Sequence, residues 1–406
     1  MLKVYLCGPT VYNYVHIGNL RPIISYDLML KAARALDIKF KFIHNITDID
    51  DKIIAKAQNE NLSEAEVAQK FSKDYINLLV KFNVDTITNL EFVTQNLDYI
   101  NNFIAKLVDN NCAYELDNNI WFNTWKYQNI YGNISGQKLE HMAFEASNFI
   151  KNNQADFALW KKTDSGIKYT SSFGQGRPGW HTECVALIEK HFGKQGVDLH
   201  GGGMDLTFPH HENENIQFYA LYHKNLAAKW LRSGQINLNN VKMSKSLNNI
   251  IFANDFINKY SPDHFKLILL LNSFTSIINL DDNLINNVEI LLKRITKIYF
   301  NEKLANLKSN NYNQEIYLNL MQNIYQLKFA TFIKTINDLI KEINLNQDII
   351  LINTLIKAFD TLGFDFKKLD FDKYAKIYWK WQTLLKAKEY QKADELRAVL
   401  RAKKLV

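Results

Sequence analysis

No apolar run in this sequence is long enough to cross a bilayer, and its first residues, MLKVYLCGP, lack the basic, apolar and cleavage regions of a signal peptide. A cytoplasmic protein without membrane contact is the expectation. Cysteine is scarce: Cys7, Cys112 and Cys184 cannot all pair, which favours free or metal-bound thiols over a disulfide framework. There is no CxxC pair and no visible protein motif for Mg2+. Glycine is scarce in the second half, where only Gly363 of 15 glycines lies beyond Gly234. The sharp turns of a ligand-binding sheet therefore belong to the first part, and the remainder should be mostly helical.

A chain of 406 residues can bury a substantial core and divide into two or three domains. Its net charge of +7 is unevenly placed: from Phe371 onward there are ten basic and four acidic residues. A basic helical tail on a nearly neutral body points to a polyanion, or equally to a lysine-rich solvated helix.

The stretch Cys7 to Arg21 reads CGPTVYNYVHIGNLR. Before it runs an apolar segment, Leu2 to Leu6; after it comes an amphipathic one with Ile23, Leu28, Leu30, Ala32 and Ala33. A buried strand feeding a loop and then a helix opens a nucleotide-binding sheet. Gly18 lets the backbone approach a flat or charged ligand, and the helix start offers free N–H groups. A glycine turn beside a core histidine explains the same residues without a ligand.

Ile38 to Ile46 alternates like a second strand and runs into Thr47, Asp48, Asp50 and Asp51. The aspartates read as helix caps rather than a metal site, and Thr47, at the strand's carboxyl end, is better placed for a ligand. Helical patterns follow to about Asn111. Cys112 to Trp125 resembles a hairpin turning at Asp117-Asn118-Asn119. The region 112–170 reads as an insertion between the halves of the sheet, with Trp121, Phe122, Trp125 and Tyr127 as its small core.

Next come GQGRPGWHTEC, ending at Cys184, and VDLHGGGMDLTFPHHENEN, from Val197 to Asn215. Pro209 suits the first turn of a helix, which puts His210 and Glu214 at i and i+4 on one face. With Cys7 and Cys184 they make two thiolates, an imidazole and a carboxylate, a mixture suited to zinc rather than magnesium. Helix-capping histidines and core cysteines are the plainer alternative. Beyond Ser261-Pro262 the pattern turns helical: Leu284, Val288, Leu291, Ile295 and Ile298 form one stripe, and Phe329, Ile333, Ile336, Ile340 and Ile343 another. These are the core stripes of a bundle.

Far downstream of His16-Ile17-Gly18-Asn19 lies Lys242-Met243-Ser244-Lys245-Ser246. Together these resemble the HIGH and KMSKS signatures of class I aminoacyl-tRNA synthetases, with Asn19 in place of the second histidine. CGPTVYNYVHIGN, NITDIDDKI, GRPGWHTEC, HGGGMDLTFPHHENE and KMSKSLNN, in this order, are similar to the cysteinyl-tRNA synthetase family. The resemblance implies a Rossmann-like doubly wound parallel-sheet catalytic domain over 1–260, then an all-α tRNA-binding bundle over 261–406.

It further implies one zinc per chain on Cys7, Cys184, His210 and Glu214, taking the substrate thiolate as an additional ligand. Thr47 and Trp180 would line the cysteine pocket. His16, Gly18, Asn19, His200 and Gly201 would meet ATP, brought with Mg2+, and Lys242 and Lys245 would stabilise its phosphates. The expected activity is ATP-dependent activation of L-cysteine and its transfer to tRNA(Cys), by a monomer. Members of the family usually have a longer N-terminal segment and a small C-terminal domain, and commonly His-Tyr-Arg where this chain has Ser273-Phe274-Thr275; anticodon reading is where these departures bear. Two other readings remain: a related ligase passing cysteine to an amino sugar, and a non-catalytic tRNA-binding regulator.

Overall fold

Strand β1 (Leu2–Leu6) lies at the middle of a five-stranded parallel sheet, and Val4, Tyr5 and Leu6 are completely buried. An interior strand of a parallel sheet is covered on both faces, so it reads as a continuous apolar run rather than an alternating one. This is a computed structural model, which describes residues 1–142, 144, 150–244, 247–305, 311–366 and 370–406. The chain forms two units: Met1–Ile23, Lys39–Val80 and Thr86–Gln235 make the first, and Ile24–Ile38, Lys81–Asp85 and Ile236–Val406 the second. Among the described residues no helix is long and apolar enough to cross a membrane.

From β1 the chain passes through helix α1 (Ile17–Ala35) to β2 (Phe40–Ile46), which pairs with β1 in register Leu2 with Phe40 to Leu6 with His44. Helices α2 (Asp51–Glu60) and α3 (Glu64–Lys81) lead to the edge strand β3 (Asn89–Phe92), and α4 (Leu97–Asp109) follows. Strand β3 falls inside the stretch read as helical; four residues on a sheet edge are too few to impose a period of two on the sequence. Asp50 caps α2 by accepting from the Lys52 N–H at 2.8 Å. Asp48 does not: it accepts from the Thr94 N–H at 2.9 Å and from the Thr94 hydroxyl, tying the ends of β2 and β3 together.

An antiparallel sheet then interrupts the parallel one. Its strands are β4 (Ala113–Leu116), β5 (Asn119–Phe122), β6 (Phe157–Lys162), β7 (Tyr169–Ser171) and β8 (Gly174–Pro178), in the order β4-β5-β6-β8-β7. The β4–β5 turn is two residues, Asp117 and Asn118, both at positive φ; Asn119 is already in β5, opposite Leu116. The inserted sheet runs to Pro178, beyond the 170 expected. Trp121 and Phe122 are buried and Phe122 stacks on Phe157 at 5.1 Å, but Trp125 is 56% exposed and lies outside that core.

After the insertion come α5 (Trp180–Phe192), β9 (Val197–Gly203), α6 (Glu212–Tyr222) and β10 (Ala227–Ser233). The parallel sheet is ordered β10-β9-β1-β2-β3. The chain builds outward from β1 on one side, then returns to β1's other side as β9. Beyond the carboxyl ends of β1 and β9 is therefore the switch point at which such sheets leave a crevice for ligands.

The second unit holds a small sheet and helices. Strands β11 (Ile236–Leu238) and β12 (Val241–Lys242) form a hairpin across Asn239 and Asn240, both at positive φ. Helices α7 (Ala253–Lys259) and α8 (Pro262–Leu270) precede β13 (Ile278–Leu280), which pairs with β11. Ser261 and His264 form a capping box at the start of α8. Then follow α9 (Asp282–Ala305), α10 (Gln314–Tyr325), α11 (Phe329–Asn346), α12 (Ile349–Thr361), α13 (Phe371–Lys386) and α14 (Tyr390–Ala402). The two apolar stripes face inward: Val288, Leu291, Ile295 and Ile298 of α9, and all five stripe residues of α11, are buried. Each such side chain is worth roughly 1.5–3 kcal/mol when buried, against the few tenths that separate helix propensities, so packing holds this bundle.

Candidate metal centre

Cys7 follows the last residue of β1 and its N–H donates to the Gly201 carbonyl of β9 at 3.0 Å, which fixes the thiol at the switch point. Gly8 comes next because no side chain fits: a Cβ there would lie 1.5 Å from the Asn45 carbonyl oxygen of β2. The Asn45 side chain holds the same turn, its Oδ1 accepting from the Gly8 N–H at 2.8 Å.

Helix α5 brings Cys184 to within 3.8 Å of Cys7, sulfur to sulfur. His210 and Glu214 arrive from the other side. They do not share a regular helix as the spacing predicted: residues 207–211 form an irregular turn in which Phe208 is extended (φ −138°), and α6 begins at Glu212. The two side chains still meet, His210 Nε2 lying 3.0 Å from Glu214 Oε1. His210 Nε2 is also 3.5 Å from Cys7 Sγ and 3.7 Å from Cys184 Sγ, and Glu214 Oε1 is 3.4 Å from Cys7 Sγ. One zinc ion bound tetrahedrally by this set has edges of about 3.8 Å between sulfurs and about 3.5 Å from sulfur to nitrogen or oxygen. The four donors, all buried, are already spaced for it.

A second grouping, Cys7, His200, His211 and Glu214, is equally close, with His200 Nε2 2.8 Å from Glu214 Oε2 and His211 Nε2 3.8 Å from Cys7 Sγ. Its chemistry is poorer. Arg232 Nε–H donates to His211 Nδ1 at 2.9 Å, which puts the imidazole proton on Nε2, so His211 faces Cys7 as a hydrogen-bond donor rather than a metal ligand. His210 has the opposite tautomer: its Nδ1 lies 3.0 Å from His181 Nδ1, leaving Nε2 to bind an ion.

The protonation of the set follows from burial and crowding. Burial, then the neighbouring Cys184 and Glu214, pushes the Cys7 thiol up. Burial works the same way on Cys184, but hydrogen bonding to Cys7 and to His210 outweighs it and the thiol falls below its ordinary value. Against the cost of burial, His200 and His210 hold the Glu214 carboxyl well below the usual carboxylate range. His210 is pushed up to about 10, burial being overcome by the Glu214 charge and the Cys184 thiol. Without an ion the cluster stores protons, and a divalent cation must expel them to bind.

The remaining residues singled out in the sequence are placed as follows. Trp180, the first residue of α5, is at the surface and its ring lies 4.3 Å from that of His210. Thr47 is buried and donates its hydroxyl to Glu183 Oε2 at 3.0 Å. His200 is buried, stacked on Trp230 at 4.5 Å. Gly201 is buried in β9. At the start of α1 the His16 N–H donates to Asn19 Oδ1 at 3.1 Å and the Gly18 N–H to His16 Nδ1 at 3.0 Å, so these two side chains order the loop-to-helix turn. Lys242 is exposed in β12, where its carbonyl accepts from Asn249 Nδ2 at 3.1 Å. Lys245 lies outside the described residues. Sequence reasoning missed His181, Glu183, His211 and Arg232; WHTEC and PHHENE carry the first three, but only their partners reveal what they do.

Residues 1–290 match the profile of a family described as the tRNA synthetases class I (C) catalytic domain. The chain is 41% identical over 414 residues to the cysteine-tRNA ligase of Mycoplasma mycoides subsp. mycoides SC, an alignment covering 98% of this chain and 94% of that protein. It is 42% identical to the cysteine-tRNA ligase of Mesomycoplasma hyopneumoniae strain 232, covering 98% and 96%. Among solved structures, the leucyl-tRNA synthetase of Agrobacterium radiobacter K84 in its ternary complex superposes with a TM-score of 0.65 at 8% identity, over 89% of this chain and 82% of that one. Mycobacterium tuberculosis methionyl-tRNA synthetase bound by methionyl-adenylate gives 0.58 at 13% identity, over the same shares of the two chains. At these identities the likeness is one of fold.

Proposed function

Because this chain belongs to the cysteine-tRNA ligases of the class I aminoacyl-tRNA synthetases, we propose that it activates L-cysteine with ATP and passes the cysteinyl group to the 3′ end of tRNA(Cys). The observation that carries this reading is the buried set Cys7, Cys184, His210 and Glu214 at the switch point of the parallel sheet. Its mixture of soft and borderline donors and its spacing fit zinc. Zinc held there supplies a soft Lewis acid that prefers the thiolate of cysteine to the hydroxyl of serine, which makes the choice chemical rather than steric.

The protein's own groups do the rest. Trp180 forms a wall beside the His210 ring, and Thr47 stands at the carboxyl end of β2. In our reading these two line the cysteine pocket, while His16, Gly18, Asn19, His200 and Gly201 belong to the ATP side. ATP arrives with Mg2+ coordinated by its phosphates. Negative charge grows on those phosphates as pyrophosphate leaves, so donors that meet it in the transition state accelerate the step; Lys242 and Lys245 are assigned that role. We assign 1–260 to catalysis and 261–406 to tRNA contact, the basic helices α13 and α14 included, in a monomer.

Transfer of labelled cysteine onto total tRNA by the purified chain tests the proposal. ATP-dependent charging is the expected result. Pyrophosphate exchange with cysteine but no charging would remove tRNA as the acceptor, and no exchange at all would remove the activation step.

A further inference from the structure

Glu183 is buried in the first turn of α5, one residue before Cys184, at 1% exposure. Its one polar contact among the described residues is the Thr47 hydroxyl. The other buried acids of the described chain are better served. Asp27 has Lys31 at 2.5 Å, Glu189 has Lys106 at 2.8 Å, and Asp263 has Lys266 at 3.8 Å and a backbone N–H. Glu214 lies between two histidines, and Asp156 and Glu212 each accept from at least two donors. The cations on the strands leading into α5 do not help, since Lys161 and Arg177 are drawn to Asp51. A buried carboxyl with a single neutral donor either keeps a proton or is completed by a cation. The helix start favours the anion without supplying that cation.

The Thr47 hydroxyl has one donor and two acceptor lone pairs. The donor goes to Glu183 and one lone pair accepts from Asn45 Nδ2 at 3.2 Å, which leaves a single acceptor position. Its backbone is committed to Pro9 and Val11, so the group cannot turn away. Asn45 Oδ1 lies 4.0 Å from Cys184 Sγ, which places this acid-and-hydroxyl pair beside the thiolates. An amino acid whose sulfur is held among those ligands carries its ammonium three bonds away. We propose that Glu183, working with Thr47, is the anchor for the α-ammonium group of the substrate, an inference that rests on the cysteine-activating reading above. The thiol selects the side chain, and Glu183 selects an α-amino acid over other thiols.

The test uses the full chain loaded with Co2+, whose thiolate charge-transfer absorption, already present from Cys7 and Cys184, increases when a ligand sulfur joins them. It is titrated with L-cysteine and with 3-mercaptopropionate, which keeps the thiol and carboxylate and lacks the ammonium. The wild-type chain should prefer cysteine by about tenfold to a hundredfold, the worth of one charge-assisted hydrogen bond. Glu183→Gln should reduce that preference to about threefold or less while 3-mercaptopropionate binds as before, and Glu183→Asp should restore part of it. If Glu183→Gln takes up no Co2+, the Glu183→Asp variant decides: a preference equal to wild type counts against the anchor. An unchanged preference in Glu183→Gln overturns the role of Glu183 alone. If neither compound changes that absorption in the wild-type chain, no ligand sulfur reaches the metal, and this inference falls with the reading it rests on.

Discussion

His181 Nδ1 lies 3.0 Å from His210 Nδ1, and only one of these nitrogens can carry the proton between them. Since His210 Nε2 faces both thiols and Glu214, its Nδ1 is the donor and His181 the acceptor. Burial and the proximity of His210 lower the His181 pKa well below that of a free imidazole, so it stays neutral and able to accept. His181→Phe keeps an aromatic ring and removes the acceptor. Zinc affinity, measured by competition with a chromophoric chelator, should fall about tenfold to a hundredfold. An unchanged affinity would mean that His210 is oriented by Trp180 stacking alone.

Glu214 is the one anionic oxygen ligand of the set, and it also faces His200 across 2.8 Å. Glu214→Gln keeps the shape and removes the charge. Zinc occupancy after dialysis, or affinity for cysteine, should drop by about tenfold or more, because an amide oxygen is a weaker ligand than a carboxylate. Full zinc content together with normal cysteine binding would exclude Glu214 as a ligand.

Gly8 tests how the sheet aims Cys7. An added Cβ would meet the Asn45 carbonyl oxygen at 1.5 Å and its carbon at 2.6 Å, both main-chain atoms of a buried strand. Gly8→Ala should cost about 3 kcal/mol in urea denaturation and lower metal affinity with it, since the turn holding Cys7 must move. Gly136→Ala is the control: nothing lies within 4 Å of a Cβ there, so only its positive φ of 71° opposes it. That costs about 1–2 kcal/mol and should leave metal binding alone.

Much of this was legible before the fold was known, and the limits are physical. The opening strand, the turn at Cys7 to Pro9 and the two bundle stripes each leave a local mark, as burial on both faces, a forced glycine or a helical period. Cys7, Cys184, His210 and Glu214 could be grouped because each sits in a recognisable motif. Glu183, His181 and His211 share those motifs, yet their roles depend on which atom of a partner faces them. Arg232 decides the tautomer of His211 from a strand 21 residues away. Edge strand β3 and exposed Trp125 were misread for the complementary reason: one is too short to show a period, and the other is an aromatic that the inserted sheet does not cover.

His44 offers a prediction about stability rather than chemistry. It is buried in β2, where Nδ1–H donates to the Leu6 carbonyl at 2.9 Å and Nε2 accepts from the Tyr75 hydroxyl at 2.8 Å. Only the Tyr75 bond requires the neutral ring, and burial lowers its pKa to about 4 even though the Leu6 bond works the other way. The unfolded chain takes up this proton near pH 6.5, while the folded chain resists until about 4. Above pH 6.5 neither state is protonated and His44 adds no pH dependence; between pH 6.5 and 4 the unfolded state binds more protons and stability falls. The loss attributable to this one group should be about 2 kcal/mol at pH 5 relative to pH 7.5. His44→Gln has no proton to gain, so it should be less stable than wild type at pH 7.5 but lose about 2 kcal/mol less on acidification. Urea denaturation of both proteins at the two pH values measures the difference, and parallel losses would show that other groups carry the acid sensitivity.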